Sequence, residues 1–146
     1  MSLMDALNIS SMGMTAQRRR VEVISSNLAN ASTTRTEEGG PYRRKDVVFQ
    51  SVSPSQSFTE ALKGELAGGA ERGVEVVAIY EDPSPFLRRY DPSHPDADEN
   101  GYVSYPNVNP IEEMVNLLSA TRSFEASVQS INTIKDMARR SLEIGR

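Results

Sequence analysis

Apolar residues recur at helical spacing at both ends of the chain and at strand spacing between them. In the first stretch, Leu3, Leu7, Ser10, Met14, Gln17, Val21, Ile24 and Leu28 fall on one alternating 3/4 spacing, the seam of a heptad pattern. That spacing predicts a helix over residues 2–31, opened by a capping box of Ser2 and Asp5. A second apolar set, Ile9, Met12, Ala16 and Val23, lies largely on the opposite side. A helix with two apolar stripes must be covered on two sides, and 146 residues leave little material to sandwich it with. The expectation is a helix built for assembly.

The closing stretch is longer. Asn109 is suited to an N-cap, Pro110 sits where its missing N–H costs nothing, and Glu112 completes a capping box. No Pro or Gly interrupts residues 111–144, and Gly145 offers a stop. At 1.5 Å per residue the helix is a rod about 52 Å long. Leu117, Ala120, Phe124, Ser127, Ile131, Ile134, Ala138 and Ser141 form its seam, widened by Met114, Val128, Met137, Leu142 and Ile144. The charged residues Glu112, Arg122, Glu125, Lys135, Asp136, Arg139, Arg140 and Glu143 all miss that seam. Something must lie along it.

The middle reads as a small β region. Residues 31–41 run from a Ser/Thr-rich start to Gly39-Gly40-Pro41 and predict a linker. Residues 42–51 predict a strand centred on Val47, Val48 and Phe49. Phe58, Ala61 and Leu62 suit a short helix over residues 57–66. Residues 73–81 alternate as a strand with Val74, Val76, Ala78 and Tyr80 on one face. Asp82-Pro83-Ser84-Pro85 reads as a turn that brings residues 87–91 back as the second arm of a hairpin, and residues 102–105 form a further strand. The fold class expected is therefore α+β, two long terminal helices forming a coiled-coil hairpin with a small β-rich middle module. Its domains are residues 1–31 with 109–146, and residues 32–108.

Composition adds exclusions. Only 6% of residues are aromatic and mean hydropathy is −0.46, which limits the compact core. Net charge is −4 and the isoelectric point about 5.1, against nucleic acid as a partner. Arg18-Arg19-Arg20 and Arg43-Arg44-Lys45 read as a solvated helix face and a strand edge rather than phosphate sites. With no cysteine there is no disulfide and no thiolate chemistry. There is no apolar run of membrane-spanning length, and nothing reads as a cleavable signal peptide.

Candidate chemistry is sparse. Asp96, Asp98, Asn100 and Gly101 match the first half of an EF-hand calcium loop, but position twelve is Asn107 instead of Glu and Pro106 interrupts. His94 is the single histidine, so a His-pair metal site is impossible within the chain. Ser93, His94 and Asp96 could compose a triad on paper, yet no nucleophile elbow accompanies them. Gly39-Gly40 and Gly68-Gly69 lack the strand-then-helix setting of a phosphate cradle. No catalytic, cofactor or metal site and no small-molecule substrate is expected.

Residues 10–34 contain Ser25, Asn27, Ala29 and Asn30 in the pattern Ser-x-Asn-x-Ala-Asn, which resembles the N-terminal motif of flagellar rod and hook proteins. Residues 41–45, the run with Asp91, His94, Asp96, Asp98, Gly101 and Tyr102, and the closing residues 142–146 look like the proximal rod branch of that family. Phe124 and Ser127 depart from its usual Tyr and Asn. The resemblance implies a basal-body rod subunit, part of a drive shaft transmitting torque from the membrane ring to the hook. It implies as partners further copies of the chain, other rod proteins, the membrane ring and the flagellar type III export apparatus, with a periplasmic location reached without a cleaved signal. The assembly interface expected comprises Leu3, Leu7, Met14, Val21, Ile24, Leu28, Leu117, Ala120, Phe124, Ile131, Ile134 and Ala138. Rival readings are a cytoplasmic coiled-coil adaptor or secretion-associated protein, and a calcium-dependent binding module using Asp96, Asp98 and Asn100.

Overall fold

Both terminal stretches are helical, as their spacing requires. A computed structural model describes residues 3–53 and 72–144, in the order α1 (Leu3–Ala29), β1 (Lys45–Val52), β2 (Gly73–Glu81), β3 (Leu87–Tyr90), β4 (Tyr102–Tyr105) and α2 (Pro110–Ile144). The expected cap at Ser2, the short helix over residues 57–66 and the stop at Gly145 lie outside the described residues. The α+β class holds: two helices flank a small β region.

The cap at Asn109 forms. Its Oδ1 accepts from the Ile111 N–H at 3.1 Å, and its backbone carbonyl accepts from Glu113 N–H at 3.0 Å. α1 ends just before Asn30, whose Nδ2 donates to the Ser26 carbonyl at 2.9 Å and whose Oδ1 accepts from the Thr33 hydroxyl. The competition of short polar side chains with helical bonding stops the helix there.

The helices pack antiparallel. Asn27 meets Glu113, and Gly13 lies beside Ser127, where a Cβ on the glycine would stand 3.7 Å from the serine Oγ. These pairs are fourteen residues apart on each helix and in opposite order, so one alignment holds along about 21 Å. Small residues let the backbones close up: Gly13 has no side chain and Ala120 is fully buried. α2 has 35 residues against 27 in α1, and at this alignment Leu3 lies level with Met137. The last turns of α2 run past the first described residue of α1.

The second stripe of α1 has a partner inside the chain. β1 and β2 pair antiparallel and the ribbon packs on α1. Gly73 approaches so closely that a Cβ there would meet the Met12 sulfur at 2.5 Å. Val23 and Val47 are each 9% exposed. Burying such side chains contributes about 1.5–3 kcal/mol each. The sandwich that looked unaffordable for so short a chain is made with one two-stranded ribbon.

Two strand expectations change. The register slips between Val48 and Phe49, which pair with Ala78 and Val76, so Val77 is the extra residue of a bulge. Val47, Phe49 and Ser51 share a face, and their partners are Ile79, Val76 and Val74. The helix-facing set on β2 is therefore Val74, Val76 and Ile79, and Ala78 and Tyr80 fall on the other face. The hairpin expected between residues 73–81 and 87–91 does not form either: β2 pairs with β1, and β3 pairs with β4. Pro83 and Pro85 hold Asp82 and Ser84 extended, so the chain crosses to a second ribbon instead of reversing.

Candidate functional site

A buried polar clamp joins the end of α1, the start of α2 and the connector between α1 and β1. Asn27 is fully buried, and its amide makes the four hydrogen bonds an amide can make. Nδ2 donates to the Lys45 carbonyl at 2.8 Å and to Glu113 Oε2 at 3.0 Å. Oδ1 accepts from the Tyr42 hydroxyl at 3.0 Å and from the Lys45 N–H at 2.9 Å. Glu113 is 1% exposed, and its Oε1 accepts from Arg44 Nε at 2.8 Å.

Arg44 is held on several sides. It also pairs with Asp46 at 3.3 Å and lies 3.9 Å from Asp82, and its backbone N–H donates to Asn107 Oδ1. Burial pulls its pKa down, but the hydrogen bond and charge of Glu113, aided by Asp46, outweigh that and raise it. The guanidinium stays charged. Asn107 and Arg43 both donate to the Asp82 and Ser84 carbonyls, tying the crossing segment to the clamp.

Sequence reasoning read Arg44 as a strand-edge cation and passed over Glu113. A signal was present: Glu113 lies seven residues before Ala120, so it continues the α2 seam by one heptad. A carboxylate at a seam position is buried, and a buried charge needs a partner. β1 begins at Lys45, later than expected, because Tyr42 to Arg44 serve the clamp.

The other motif residues form a second polar knot. Asp96 accepts from the Thr34 hydroxyl at 2.8 Å and lies 3.8 Å from Arg35, fastening the β3–β4 loop to the linker. His94 Nδ1 accepts from the Asp96 N–H, and its ring stands edge-on to Tyr105. Asp98 Oδ1 accepts from the Asn100 and Tyr102 N–H groups, and Oδ2 from Arg88 at 2.7 Å. Those donors, the Tyr102 N–H first, hold its pKa below the ordinary carboxylate value. Asp91 accepts from the Ser93 hydroxyl, and its N–H donates to the Gly101 carbonyl. Gly101 is buried at φ +79°, the left-handed turn that closes the loop. The oxygens of Asp98 are committed to donors, so the half EF-hand is a turn; among the described residues no cluster of three ligating groups could hold a metal ion.

The expected interface residues divide. On α2, Ala120 is fully buried, while Leu117, Phe124, Ile131, Ile134 and Ala138 are half-buried along the side that meets α1. On α1, Ile24 is 5% exposed within the helix pair. Leu7, Met14, Val21 and Leu28 are half-buried on the flank away from the ribbon, and Leu3 is exposed. Ser25 and Ala29 are exposed beside the clamp. A different set stands open: Ile111, Met114, Val115 and Leu118 are 55–74% exposed on the back of α2, opposite its seam.

Terminal helices closed by a polar clamp, with open apolar faces, define an assembly subunit, and comparison with known proteins says of what kind. A family model described as flagella basal body rod protein matches residues 7–35, and one described as flagellar basal body rod FlgEFG protein C-terminal matches residues 99–144. The flagellar basal-body rod protein FlgC of Bacillus subtilis is 47% identical over the whole of both chains. That of Borreliella burgdorferi is 45% identical over 99% of this chain and 98% of its own. That of Salmonella typhimurium is 39% identical, again over both whole chains. The chain belongs to the FlgC family of flagellar basal-body rod proteins. It is a structural subunit of the basal body, not an enzyme.

Proposed function

We propose that the chain packs into the proximal rod through two apolar surfaces that its own fold leaves open. One is the back of α2 at Ile111, Met114, Val115 and Leu118, and the other is the α1 flank at Leu7, Met14, Val21 and Leu28. The observation that carries this reading is the α2 patch: four large apolar side chains stay exposed although the opposite seam is filled. Heterologous contacts between such faces do not close on themselves and build a filament. In this arrangement the helix pair, residues 1–31 and 109–146, lines the axial core as a coiled-coil hairpin, and residues 32–108 face outward. Torque passes through interdigitated side chains, which resist shear as packed interiors do.

The neighbours in this reading are further copies, other rod proteins and the membrane ring. The chain reaches the periplasm through the flagellar type III export apparatus. Full-length identity to rod proteins supports this over the cytoplasmic adaptor. A Leu118→Cys chain in isolated basal bodies, treated with a bifunctional thiol–amine reagent, is expected to link to rod neighbours. Labelled basal bodies that yield only uncrosslinked chain would sink the proposal.

A further inference from the structure

We propose that the Asn27–Glu113–Arg44 clamp is a register lock, selecting one alignment of α1 along α2 from two that the apolar seam permits. The seam is close to degenerate under a slip of one heptad. Leu117, Phe124, Ile131 and Ala138 succeed one another every seven residues, as do Ala120, Ser127 and Ile134. α2 is eight residues longer than α1, so a seven-residue slip toward its C-terminus leaves every described residue of α1 with α2 beside it. Gly13 would then face Ile134 in place of Ser127. Gln17, which lies on the same face as Gly13, has a sealed Oε1 with no hydrogen-bond partner among the described residues, so no described partner of its carbonyl favours the observed alignment.

What the slip destroys is the clamp. Asn27 would face Ala120, leaving one amide N–H without an acceptor. The connector would travel with α1, because Tyr42 and Lys45 are bonded to Asn27. Arg44 would be drawn off Glu113, and the carboxylate would lose both partners. A buried polar group left unpaired is costly, whereas the seam exchanges are milder, the largest gain in volume, Ile134 for Ser127, falling beside Gly13, which has no side chain. Specificity of alignment then rests on this polar cluster, backed by Asn107, which precedes α2 by three residues and accepts from the Arg44 N–H, and it plays the role a single buried Asn plays in coiled coils.

The chain has no cysteine, so introduced pairs read the alignment without background. Gly13→Cys with Ser127→Cys reports the observed register, since a Cβ at position 13 lies 3.7 Å from the Ser127 Oγ, within disulfide reach. Gly13→Cys with Ile134→Cys reports the slipped one. In the purified full-length chain, oxidation is expected to trap the first pair and leave the second nearly unreacted. Replacing the clamp by apolar groups (Asn27→Leu, Arg44→Met, Glu113→Leu) is expected to keep helix content and raise the slipped product about tenfold. Glu113→Gln, which preserves shape, serves if the triple variant does not fold, with a rise of about threefold expected. An unchanged ratio of the two products in a folded variant overturns the lock, as does the absence of the 13–127 product from the parent.

Discussion

Asn27 on α1 and Glu113 on α2 meet through a 3.0 Å hydrogen bond across 86 residues of chain, and both side chains are sealed from solvent. The bond is one of four made by the Asn27 amide, the other three going to Tyr42 and Lys45. A single side chain thus satisfies backbone groups of the connector and one oxygen of a buried carboxylate. The terminal helix pair and the β region become one cooperative unit at that point.

Asn27→Ala leaves several buried groups without partners and is expected to cost about 3 kcal/mol. For a chain of this size that lowers the melting temperature by about 10 °C, read by circular dichroism. Asn27→Asp is expected to be worse at neutral pH, because it sets a second carboxylate against Glu113, and to recover partly in acid. A melting temperature within 2 °C of the parent for Asn27→Ala (about half a kcal/mol) would deny the clamp any stabilising role.

Acid should loosen the β3–β4 ribbon. Asp98 is held low by the Tyr102 and Asn100 N–H groups and by Arg88, and Asp91 is held low chiefly by the Ser93 hydroxyl. Depressed folded-state pKa values contribute stability that is present above the ordinary value of 3.8 and lost as pH falls through and below it. The Tyr102 amide resonance should therefore shift below about pH 4. Asp98→Asn keeps an acceptor for the two N–H groups and removes the titration, so its shift should be smaller. An equal shift in both proteins would assign the acid response elsewhere.

Two glycines with similar backbone angles should respond differently to alanine. Gly101 has φ +79°, and a Cβ there would stand 2.9 Å from Tyr90 and 3.2 Å from Pro92. Gly39 has φ +88° and open space around it. Gly39→Ala is expected to cost about 1 kcal/mol of left-handed strain, and Gly101→Ala about 2–3 kcal/mol once the contact with the tyrosine ring is added. Equal losses in denaturant titrations would mean that Tyr90 moves aside freely.

Helical spacing made α2 legible from Asn109 onward, and its seam falls where the 3/4 pattern puts it, but Met114, Met137 and Leu142, expected to widen it, are 51–75% exposed. The α1 pattern was read about one residue off. Ile24 and Gln17 of the expected seam are buried, but Gly13 and Asn27 share the face toward α2 and Leu7, Met14, Val21 and Leu28 flank it, because an apolar count passes over Gly and Asn. The second stripe looked like an assembly surface because a two-stranded ribbon is hard to foresee as a cover. Strand faces on β2 were misjudged for want of any local sign of the bulge at Val77, and the crossing at Pro83 and Pro85 was mistaken for a turn. The family motif was legible as a string while its chemistry was not: Asn27 has meaning only with Tyr42, Arg44, Lys45 and Glu113, which the fold alone brings together.

Two neighbouring positions on α2 separate folding from assembly. Ala120 is fully buried against α1, whereas Leu118, two residues earlier, is 55% exposed on the opposite side. Ala120→Glu puts an unpaired charge and extra volume into the closest part of the helix pair, and is expected to cost about 3–5 kcal/mol and collapse the monomer's helix signal. Leu118 is more than half exposed, so with Leu118→Glu the monomer should melt within about 1 kcal/mol of the parent. In cells the same variant should be missing from basal bodies and leave them immotile, because its charge would be buried against a neighbour. Ile24 and Ile131 belong with Ala120: a charge at either should act first on the monomer's own stability. Leu118→Glu that incorporates and swims normally would move the subunit interface off this face of α2, leaving the α1 flank as its remaining site.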